Sequence, residues 1–319
     1  MNPKRIFYPE ETSAYASEAV HLLERLIAIP AFSREEKAAA DELEEFMTGR
    51  GLNTRRKGNN LWTIAEGYAP GRPTLLLNAH IDTVRPSSDW QRPPFEPTHE
   101  NGRLYGLGSN DCGGGLVALL QTFRLLTRRA QPYNLIFLAS CEEEVSGKQG
   151  LEMVLPSLPP ISVAIVGEPT DMQPAVAEKG LMVLDVTAHG QAGHAARGEG
   201  VNAIYEAMDD IEWFRNYRFR RVSPLLGAVK MTVTIIQAGT QHNVVPAECT
   251  FTVDVRSNEC YSNRELYDEI CRHIKSDVKA RSFRLNSSHI APHHPLVRRA
   301  VELGRMPYGS PTLSDQALM

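Results

Sequence analysis

The first half of the chain alternates between patterns typical of helices and patterns typical of buried strands. Apolar residues recur at helical spacing in residues 12–28 and around residues 43–47, where Gly49 and Gly51 end the pattern. Four apolar runs of strand length follow, at residues 61–65, 74–79, 134–140 and 161–167. Helical patterns at residues 115–128 and 149–158 lie between the later runs. Near-continuous apolar strands need cover on both faces, so this order predicts an α/β sheet flanked by helices.

The pattern changes after residue 178. The predicted order there is strand, helix, two alternating strands, helix and strand, at residues 181–188, 202–217, 229–236, 248–256, 264–276 and 280–285. This β-α-β-β-α-β order is the ferredoxin-like split unit. We therefore predict a second, α+β domain at residues 178–289, inserted into a first domain made of residues 1–177 and 290–319. Residues 294–304 are predicted to be a helix that returns to the first domain.

Composition and charge narrow the class of protein. With 42% hydrophobic and 23% charged residues, the 319-residue chain has the composition of a soluble globular protein. Its net charge of -4 gives no broad basic field for nucleic acid or an anionic membrane. The apolar runs are too short to span a bilayer, and the first twenty residues lack the apolar core of a signal peptide. Five scattered cysteines suit a reducing compartment. We therefore predict a cytoplasmic protein with no nucleic-acid or membrane partner.

The first candidate for chemistry is a histidine and an aspartate that follow an apolar strand, in LLLNAHIDTV. In a strand, residues i and i+2 share a face, so Asp82 is expected on the same side as His80. A carboxylate there can fix the tautomer and orientation of a metal-binding imidazole. The alternative is a histidine at a strand end that serves the structure alone.

The second candidate is Asp111, in the glycine-rich segment GLGSNDCGGG before a predicted helix. Glycines allow a ligand to approach the backbone closely, and a helix N-terminus favours negative charge. A phosphate-binding loop is the alternative, but the Lys-Ser/Thr of the P-loop and the spacing of GxGxxG are both missing. The pattern favours a carboxylate that bridges metal ions.

The third and fourth candidates are acidic residues at two further strand ends. Glu142, Glu143 and Glu144 follow a buried strand, and this like charge is costly unless a cation or solvent compensates it. Such a run can be a solvated acidic turn, or one carboxylate can bind metal while its neighbour transfers protons. Glu168 follows the strand ISVAIVG, where it alone would indicate only a turn.

Together these motifs predict a metal site. Ligands at the carboxyl ends of neighbouring strands converge on one crevice in an open α/β sheet. One histidine with several carboxylates suits zinc, cobalt or manganese. Cys112 and Cys141 flank the motifs, and we interpret both as small buried fillers and not as ligands.

The motifs resemble those of the co-catalytic zinc hydrolases that include acetylornithine deacetylase, succinyl-diaminopimelate desuccinylase, aminoacylase and glutamate carboxypeptidase. The match runs in order over almost the whole chain. It covers the family's His-x-Asp, Gly-x-x-x-Asp-x-x-Gly-Gly, Glu-Glu and Gly-Glu-Pro motifs, and its lid motif at residues 190–194. The resemblance implies a zinc-peptidase-like catalytic domain with a mixed sheet, plus an inserted ferredoxin-like lid and dimerisation domain.

The resemblance also implies two zinc ions per subunit, for which Co²⁺ can substitute. By this likeness His80 and Glu168 bind one metal, Glu144 binds the other, and Asp111 bridges them. The family's last metal-binding histidine lies in a Ser-His segment beyond Met319. The resemblance therefore implies that these 319 residues hold an incomplete second metal site and lack the C-terminal part of the catalytic domain.

For catalysis, the resemblance makes Glu143 the general base and Asp82 the partner of His80. We take Glu142 as the residue before the Glu-Glu pair, and the run of three leaves a one-residue ambiguity.

Three residues of the second domain gain a role through the resemblance alone. His194 would reach the partner subunit's site and donate to the tetrahedral oxyanion. Asn243 and Arg256 would hold the substrate's carboxylate, which the planar guanidinium binds bidentately.

The predicted function is hydrolysis of the amide bond of an N-acyl amino acid by a homodimer joined through the lid domain. The segments GLGSND and SPTLSDQALM are similar to acetylornithine deacetylase-like members, which implies N-acetyl- or N-succinyl-ornithine or -citrulline as substrate, in arginine biosynthesis. Alternatives in the same class are succinyl-diaminopimelate desuccinylase and a dipeptidase. An alternative of another class is a non-catalytic homologue that serves as a binding or scaffold protein.

Overall fold

The structure is a computed structural model that describes residues 9–319, with side chains from residue 12 onward. The chain forms two compact units, one extending to Pro169 and the other comprising Thr170–Met319. We predict no signal peptide in the first twenty residues, and residues 1–8 of that segment lie outside the described residues. The predicted domain boundaries at residues 178 and 289 stay a prediction. Within residues 9–319, none of the helices combines the length and apolar character that a membrane span requires.

The first unit contains a mixed five-stranded sheet and helices. The described helices are α1 (Pro9–Ile27), α2 (Lys37–Gly49), α3 (Gly115–Thr127) and α4 (Leu151–Val154). The described strands are β1 (Arg55–Lys57), β2 (Asn60–Ile64), β3 (Thr74–His80), β4 (Thr98–Glu100), β5 (Arg103–Tyr105), β6 (Asn134–Ser140) and β7 (Val163–Gly167). The sheet order is β1-β2-β6-β3-β7, in which β3 runs parallel to β6 and β7 while β2 runs antiparallel to β6.

The core of this unit lies between the sheet and its helices. All seven residues of β6 are buried, as its continuous apolar run predicts. Leu116, Leu120 and Phe123 of α3 belong to the same buried cluster as Leu77 and Phe137 of the sheet. Burying each such side chain contributes about 1.5–3 kcal/mol. This packing holds the ends of the parallel strands in place.

Two predictions for this unit need correction. The run at residues 161–167 was expected to be a buried strand, but β7 pairs only with β3 at the sheet edge and Ile165 is exposed. The helix expected at residues 149–158 is α4 followed by a 3₁₀ turn, Leu155–Ser157. Pro156 lacks an N–H donor, so the α-helical pattern cannot continue through it.

The second unit contains a four-stranded antiparallel sheet and a three-stranded one. Its described helices are α5 (Ala203–Asn216), α6 (Asn263–Ile270) and α7 (Pro295–Glu302). Its described strands are β8 (Ala175–Glu178), β9 (Met182–His189), β10 (Gly193–His194), β11 (Lys230–Ala238), β12 (Val244–Val245), β13 (Glu248–Arg256), β14 (Asp277–Ala280), β15 (Ser288–His289) and β16 (Tyr308–Ser310). The larger sheet has the order β11-β13-β9-β14.

The chain order β9-α5-β11-β13-α6-β14, with this sheet order, confirms the predicted ferredoxin-like arrangement. Side chains cap the N-termini of both helices in this arrangement, α5 and α6. The Asn202 carboxamide accepts a hydrogen bond from the Ile204 N–H at 3.0 Å, and Ser262 and Glu265 form a capping box.

Two element ends in the second unit differ from the prediction. The helix expected at residues 264–276 ends at Ile270, and the strand expected at residues 280–285 is β14, which ends at Ala280. The buried carboxylate of Asp210 accepts hydrogen bonds from the backbone N–H groups of Lys275 and Ser276, at 3.1 and 2.9 Å. These N–H groups are therefore bound by a side chain and not by helical carbonyls.

Candidate metal centre

Three neighbouring strands bring the predicted ligands to one edge of the first unit's sheet. His80 is the last residue of β3, Glu168 directly follows β7, and the three glutamates follow β6 after Cys141. In the register of the sheet, His80 pairs with Ser140, and Ala79 pairs with Gly167. The carboxyl ends of these parallel strands therefore lie at the same edge of the sheet, where side chains from neighbouring strands can converge on one site.

His80, Asp111 and Glu168 form a group in which ligand atoms lie within 4.8 Å of one another. The Nε2 atom of His80 lies 3.1 Å from Asp111 Oδ1 and 4.0 Å from Glu168 Oε1. The imidazole is 2% exposed, whereas Asp111 is largely open to solvent. One imidazole and two carboxylates around an accessible point fit a zinc-type divalent cation.

The orientation of the His80 ring suits a metal ligand. Its Nδ1 atom lies 2.8 Å from the backbone carbonyl oxygen of Asp82. A carbonyl only accepts, so Nδ1–H is the donor, and Nε2 is the nitrogen that faces Asp111 and Glu168. Burial alone would lower the pKa of His80, but interactions with Asp111 and Asp82 raise that pKa well above its usual range. The pocket thus stabilises positive charge, as a cation site does.

The Asp82 carboxylate mainly binds the turn that carries the glutamates. It is fully buried, and it accepts hydrogen bonds from the Ser33 hydroxyl at 2.7 Å, the Glu143 N–H at 3.0 Å and the Glu144 N–H at 3.1 Å. Its Oδ1 atom lies 3.6 Å from His80 Nδ1, beyond hydrogen-bond distance. Asp82 therefore connects the histidine to the turn that carries the glutamates. Its backbone carbonyl binds the His80 ring, and its carboxylate binds the N–H groups of Glu143 and Glu144.

Glu143 and Glu144 are half-buried at this same edge. Burial, followed by the negative charge of Asp111, raises the pKa of Glu144. This is the electrostatic setting in which a second cation would relieve repulsion between carboxylates. Glu144 is not one of the three residues in the group around His80.

The cysteines beside the site have the properties of buried fillers. Burial raises the pKa of Cys112 and of Cys141 to about 12 in each case. The Cys112 thiol donates to the backbone oxygen of Gly167 at 2.6 Å. Both side chains are therefore protonated thiols at neutral pH in the metal-free protein, and the interpretation that they are not ligands stays a prediction.

The second unit places two of its three predicted residues side by side. His194 ends β10, where it pairs with Val244 of β12, and the neighbouring Ala195 N–H donates to the Asn243 carbonyl at 3.0 Å. His194 and Asn243 are both exposed. Arg256 ends β13, and its guanidinium donates to both carboxylate oxygens of Asp254, at 2.8 and 3.1 Å. The predicted carboxylate anchor therefore already binds a carboxylate of its own strand.

Two residues that contact this site, Ser33 and Glu36, were not predicted. They lie between α1 and α2, and their spacing resembles a helix capping box. That pattern predicts that the Glu36 side chain accepts a hydrogen bond from the backbone N–H of Ser33 at the start of the helix. Its carboxylate instead accepts hydrogen bonds from Asn59 and from the Glu142 N–H.

Comparison with known proteins shows the family. Residues 76–315 match the family described as peptidase family M20/M25/M40. The chain belongs to this family. It is therefore a hydrolase of the metallopeptidase and amidohydrolase class, and the predicted resemblance is confirmed.

Individual relatives carry different activities in their names. The chain is 31% identical to acetylornithine deacetylase of Shigella sonnei over 271 residues, which cover 77% of this chain and 70% of that protein. It is 26% identical to succinyl-diaminopimelate desuccinylase of Wolbachia pipientis over 282 residues, which cover 82% of this chain and 71% of that protein. The names of these relatives do not decide between the two substrates.

Solved structures share the fold. A tripeptidase from Staphylococcus aureus superposes with a TM-score of 0.75 at 20% identity, covering 95% of this chain and 86% of that chain. A dinuclear metal-binding peptidase of the M20 family from Bacillus subtilis gives a TM-score of 0.71 at 17% identity, covering 96% and 85%. The predicted α/β, zinc-peptidase-like fold is confirmed.

Proposed function

We propose that this protein hydrolyses the amide bond between an acyl group and the nitrogen of an amino acid, with divalent metal as cofactor. The observation that carries the proposal is the convergence of His80, Asp111 and Glu168 beside the half-buried Glu143–Glu144 pair. The names of the two curated relatives, a deacetylase and a desuccinylase, support an N-acyl amino acid as substrate.

The metal ligands are proposed on the ring orientation and on the spacing of the carboxylates. His80 and Glu168 would hold one zinc ion, Asp111 would bridge, and Glu144 would hold a second. Zinc, when bound, supplies Lewis-acid polarisation of the amide carbonyl and makes water more acidic. Cobalt as a substitute stays a prediction.

Glu143 is the proposed general base. It removes a proton from the attacking water, whose oxygen forms a bond to the carbonyl carbon. The C–N bond then breaks, and Glu143 delivers the proton to the departing amine. The products are a carboxylate and a free amino acid. Asp82 positions the base, because it accepts the backbone N–H of Glu143.

The second unit would supply the substrate contacts. We assign His194 as an oxyanion donor to a partner subunit, and Asn243 and Arg256 as ligands of the substrate's α-carboxylate. Arg256 forms a bidentate pair with Asp254, so a substrate carboxylate would have to compete with Asp254 for the same guanidinium donors.

A homodimer joined through the second unit is part of the proposal. Large apolar side chains are exposed there on α5 and on the edge strand β11. Tyr205 is 67% exposed, Met208 57%, and Ile235 and Ile236 slightly more than half. Exposed apolar groups of this kind are typical of protein interfaces.

Within this class we favour N-acetyl- or N-succinyl-ornithine or -citrulline as substrate and a place in arginine biosynthesis. The desuccinylase relative supports succinyl-diaminopimelate as the second candidate, and a dipeptidase is the other alternative. A cytoplasmic location stays a prediction.

A substrate panel tests the proposal. Zinc-reconstituted protein would be assayed on N-acetyl- and N-succinyl-ornithine and -citrulline, on N-succinyl-diaminopimelate, and on di- and tripeptides. N-acetyl-putrescine, which lacks the α-carboxylate, is the matched control. We expect hydrolysis of an N-acyl amino acid and none of the control. Stoichiometric zinc binding without turnover of any member would instead favour the non-catalytic homologue.

A further inference from the structure

Residues 141–147 directly follow β6, and we call this segment the glutamate turn. The backbone leaves the sheet here, so the four successive N–H groups of residues 141–144 bind side chains and not a neighbouring strand. Cys141 and Glu142 are buried, and buried backbone donors need acceptors.

Three fully buried side chains supply those acceptors. The Cys141 N–H donates to Asn60 Oδ1 at 3.1 Å, and the Glu142 N–H donates to Glu36 Oε1 at 3.3 Å. The next two N–H groups donate to the carboxylate of Asp82. Asn60, Glu36 and Asp82 each have 0% exposure. The turn is thus held by side chains from three separate segments of the first unit.

The conformation of the turn needs this support. Glu142 has φ 55°, in the left-handed region that favours glycine. Gly147 lies against it so closely that a Cβ atom there would be 1.8 Å from Glu142 Oε2. Residues in such conformations persist only where surrounding contacts determine them.

Glu36 is placed to provide that contact. Its Oε1 atom accepts the N–H of Glu142 and also the N–H of Arg34, which is left-handed too, with φ 75°. Its Oε2 atom accepts from Asn59 Nδ2 at 3.0 Å. One carboxylate oxygen therefore joins the loop before α2 to the residue immediately before the proposed base.

We propose that Glu36 is a positioning residue that fixes the glutamate turn, and through it the carboxylates of Glu143 and Glu144. Ser33 supports the same turn from the other side, because its hydroxyl donates to the Asp82 carboxylate at 2.7 Å. Neither residue belongs to the metal group around His80. The consequence for catalysis rests on the proposed function, whereas the consequence for the turn does not.

Hydrogen exchange of the metal-free protein tests the proposal without a substrate. In Glu36→Ala, overlapping peptides covering residues 141–147 should exchange about tenfold faster or more, because a hydrogen bond to a charged acceptor is lost. Peptides from β6 and α3 should exchange as in the wild type. Glu36→Gln keeps the acceptor oxygen at Oε1 and should restore protection. Glu35→Ala is the matched control, since Glu35 is an exposed neighbour whose carboxylate forms an ion pair with Arg85.

Steady-state kinetics give the second readout. A displacement of about 1 Å at the reacting groups can cost about 100-fold. We therefore expect kcat of Glu36→Ala to fall by about 10- to 100-fold while KM changes by less than about threefold. Should Glu36→Ala fail to fold, Glu36→Asp, whose carboxylate is one methylene shorter, takes its place.

Unchanged exchange at residues 141–147 in Glu36→Ala would overturn the proposal. An equal rise throughout β6 and α3 would also overturn it, because Glu36 would then serve the stability of the whole unit. So would a Glu36→Gln variant as labile as Glu36→Ala. If the wild type hydrolysed no member of the substrate panel, the proposed function would fail, but the exchange result would still decide the role of Glu36.

Discussion

Removal of the Asp82 carboxylate is the perturbation whose effect the structure predicts in most detail. Asp82 is fully buried and accepts three hydrogen bonds, from the Ser33 hydroxyl and the N–H groups of Glu143 and Glu144. Asp82→Ala leaves both N–H groups without that acceptor. A hydrogen bond to a charged group contributes about 1.5–3 kcal/mol, so loss of the two together should cost about 3–6 kcal/mol.

This loss should be visible in thermal unfolding of the metal-free protein. For a unit of this size, 1 kcal/mol lowers the Tm by about 2–4 °C, so we expect a decrease of about 5–20 °C. Asp82→Asn keeps one acceptor oxygen and should lose about half as much. Zinc affinity should fall by about 10- to 100-fold in Asp82→Ala, because the carboxylate that holds the Glu144 N–H and lies beside the His80 ring is lost.

Asp89→Ala is the matched control, because Asp89 is exposed and, within the described part of the chain, its side chain makes only a long contact with Ser88, at 3.5 Å. Its unfolding should stay within about 0.5 kcal/mol of the wild type. The reasoning is refuted if Asp82→Ala unfolds at the wild-type temperature and binds zinc with wild-type affinity.

Four further predictions concern other residues. The Glu143→Ala variant should lose turnover but still bind zinc, whereas the Glu144→Ala variant should lose bound zinc. If metal analysis showed the reverse, the general base would be Glu144 and not Glu143. Arg256→Lys keeps the charge but loses the planar fork, so KM should rise by about tenfold or more, and equal KM values would rule out the anchor. In a chain that is active, mixing Glu143→Ala subunits with His194→Ala subunits should restore part of the activity, because some sites would then pair an intact base with an intact histidine. No recovery despite demonstrated subunit exchange would indicate that His194 acts within its own chain or not at all. Burial raises the pKa of Glu178 above its ordinary value, so the free energy of unfolding falls as pH rises from that ordinary value through the folded pKa. Calorimetry should show Glu178→Gln gaining stability relative to wild type over that rise in pH, and a difference that is constant with pH would contradict this.

The fold was predictable where periodicity and burial coincide. The continuous apolar run at residues 134–140 became the fully buried β6, with the same bounds. The alternating run at residues 248–256 became β13, with apolar side chains buried on one face. The bounds of α6 and β14 were not predicted. Between these elements the N–H groups of Lys275 and Ser276 bind Asp210, a residue that lies far away in the sequence, and no local pattern reports such a contact.

The convergence of three candidate ligands was predictable from the sequence, whereas the residues that support the site were not. His80, Asp111 and Glu168 follow from their places after strands or in a glycine-rich turn. The role of Glu36 depends on a hydrogen bond to the Glu142 N–H, 106 residues away in sequence. No local pattern reports such a contact, and the local pattern at Glu36 suggests a helix cap instead. The pairing of Arg256 with Asp254 was not predicted for another reason: their i, i+2 spacing in a strand places both side chains on one face but does not fix whether the guanidinium turns toward the carboxylate.

Zinc titration of the chelated wild type and of His80→Ala tests the central claim, that hydrolysis depends on a metal held by His80, Asp111 and Glu168. Bound zinc would be measured by metal analysis, and turnover by release of a free amino acid from N-acetyl-ornithine or whichever panel member the wild type cleaves. We predict that bound zinc and turnover rise together in the wild type and that both are lost in His80→Ala. A His80→Ala variant that binds zinc and hydrolyses the substrate as the wild type does would contradict the account.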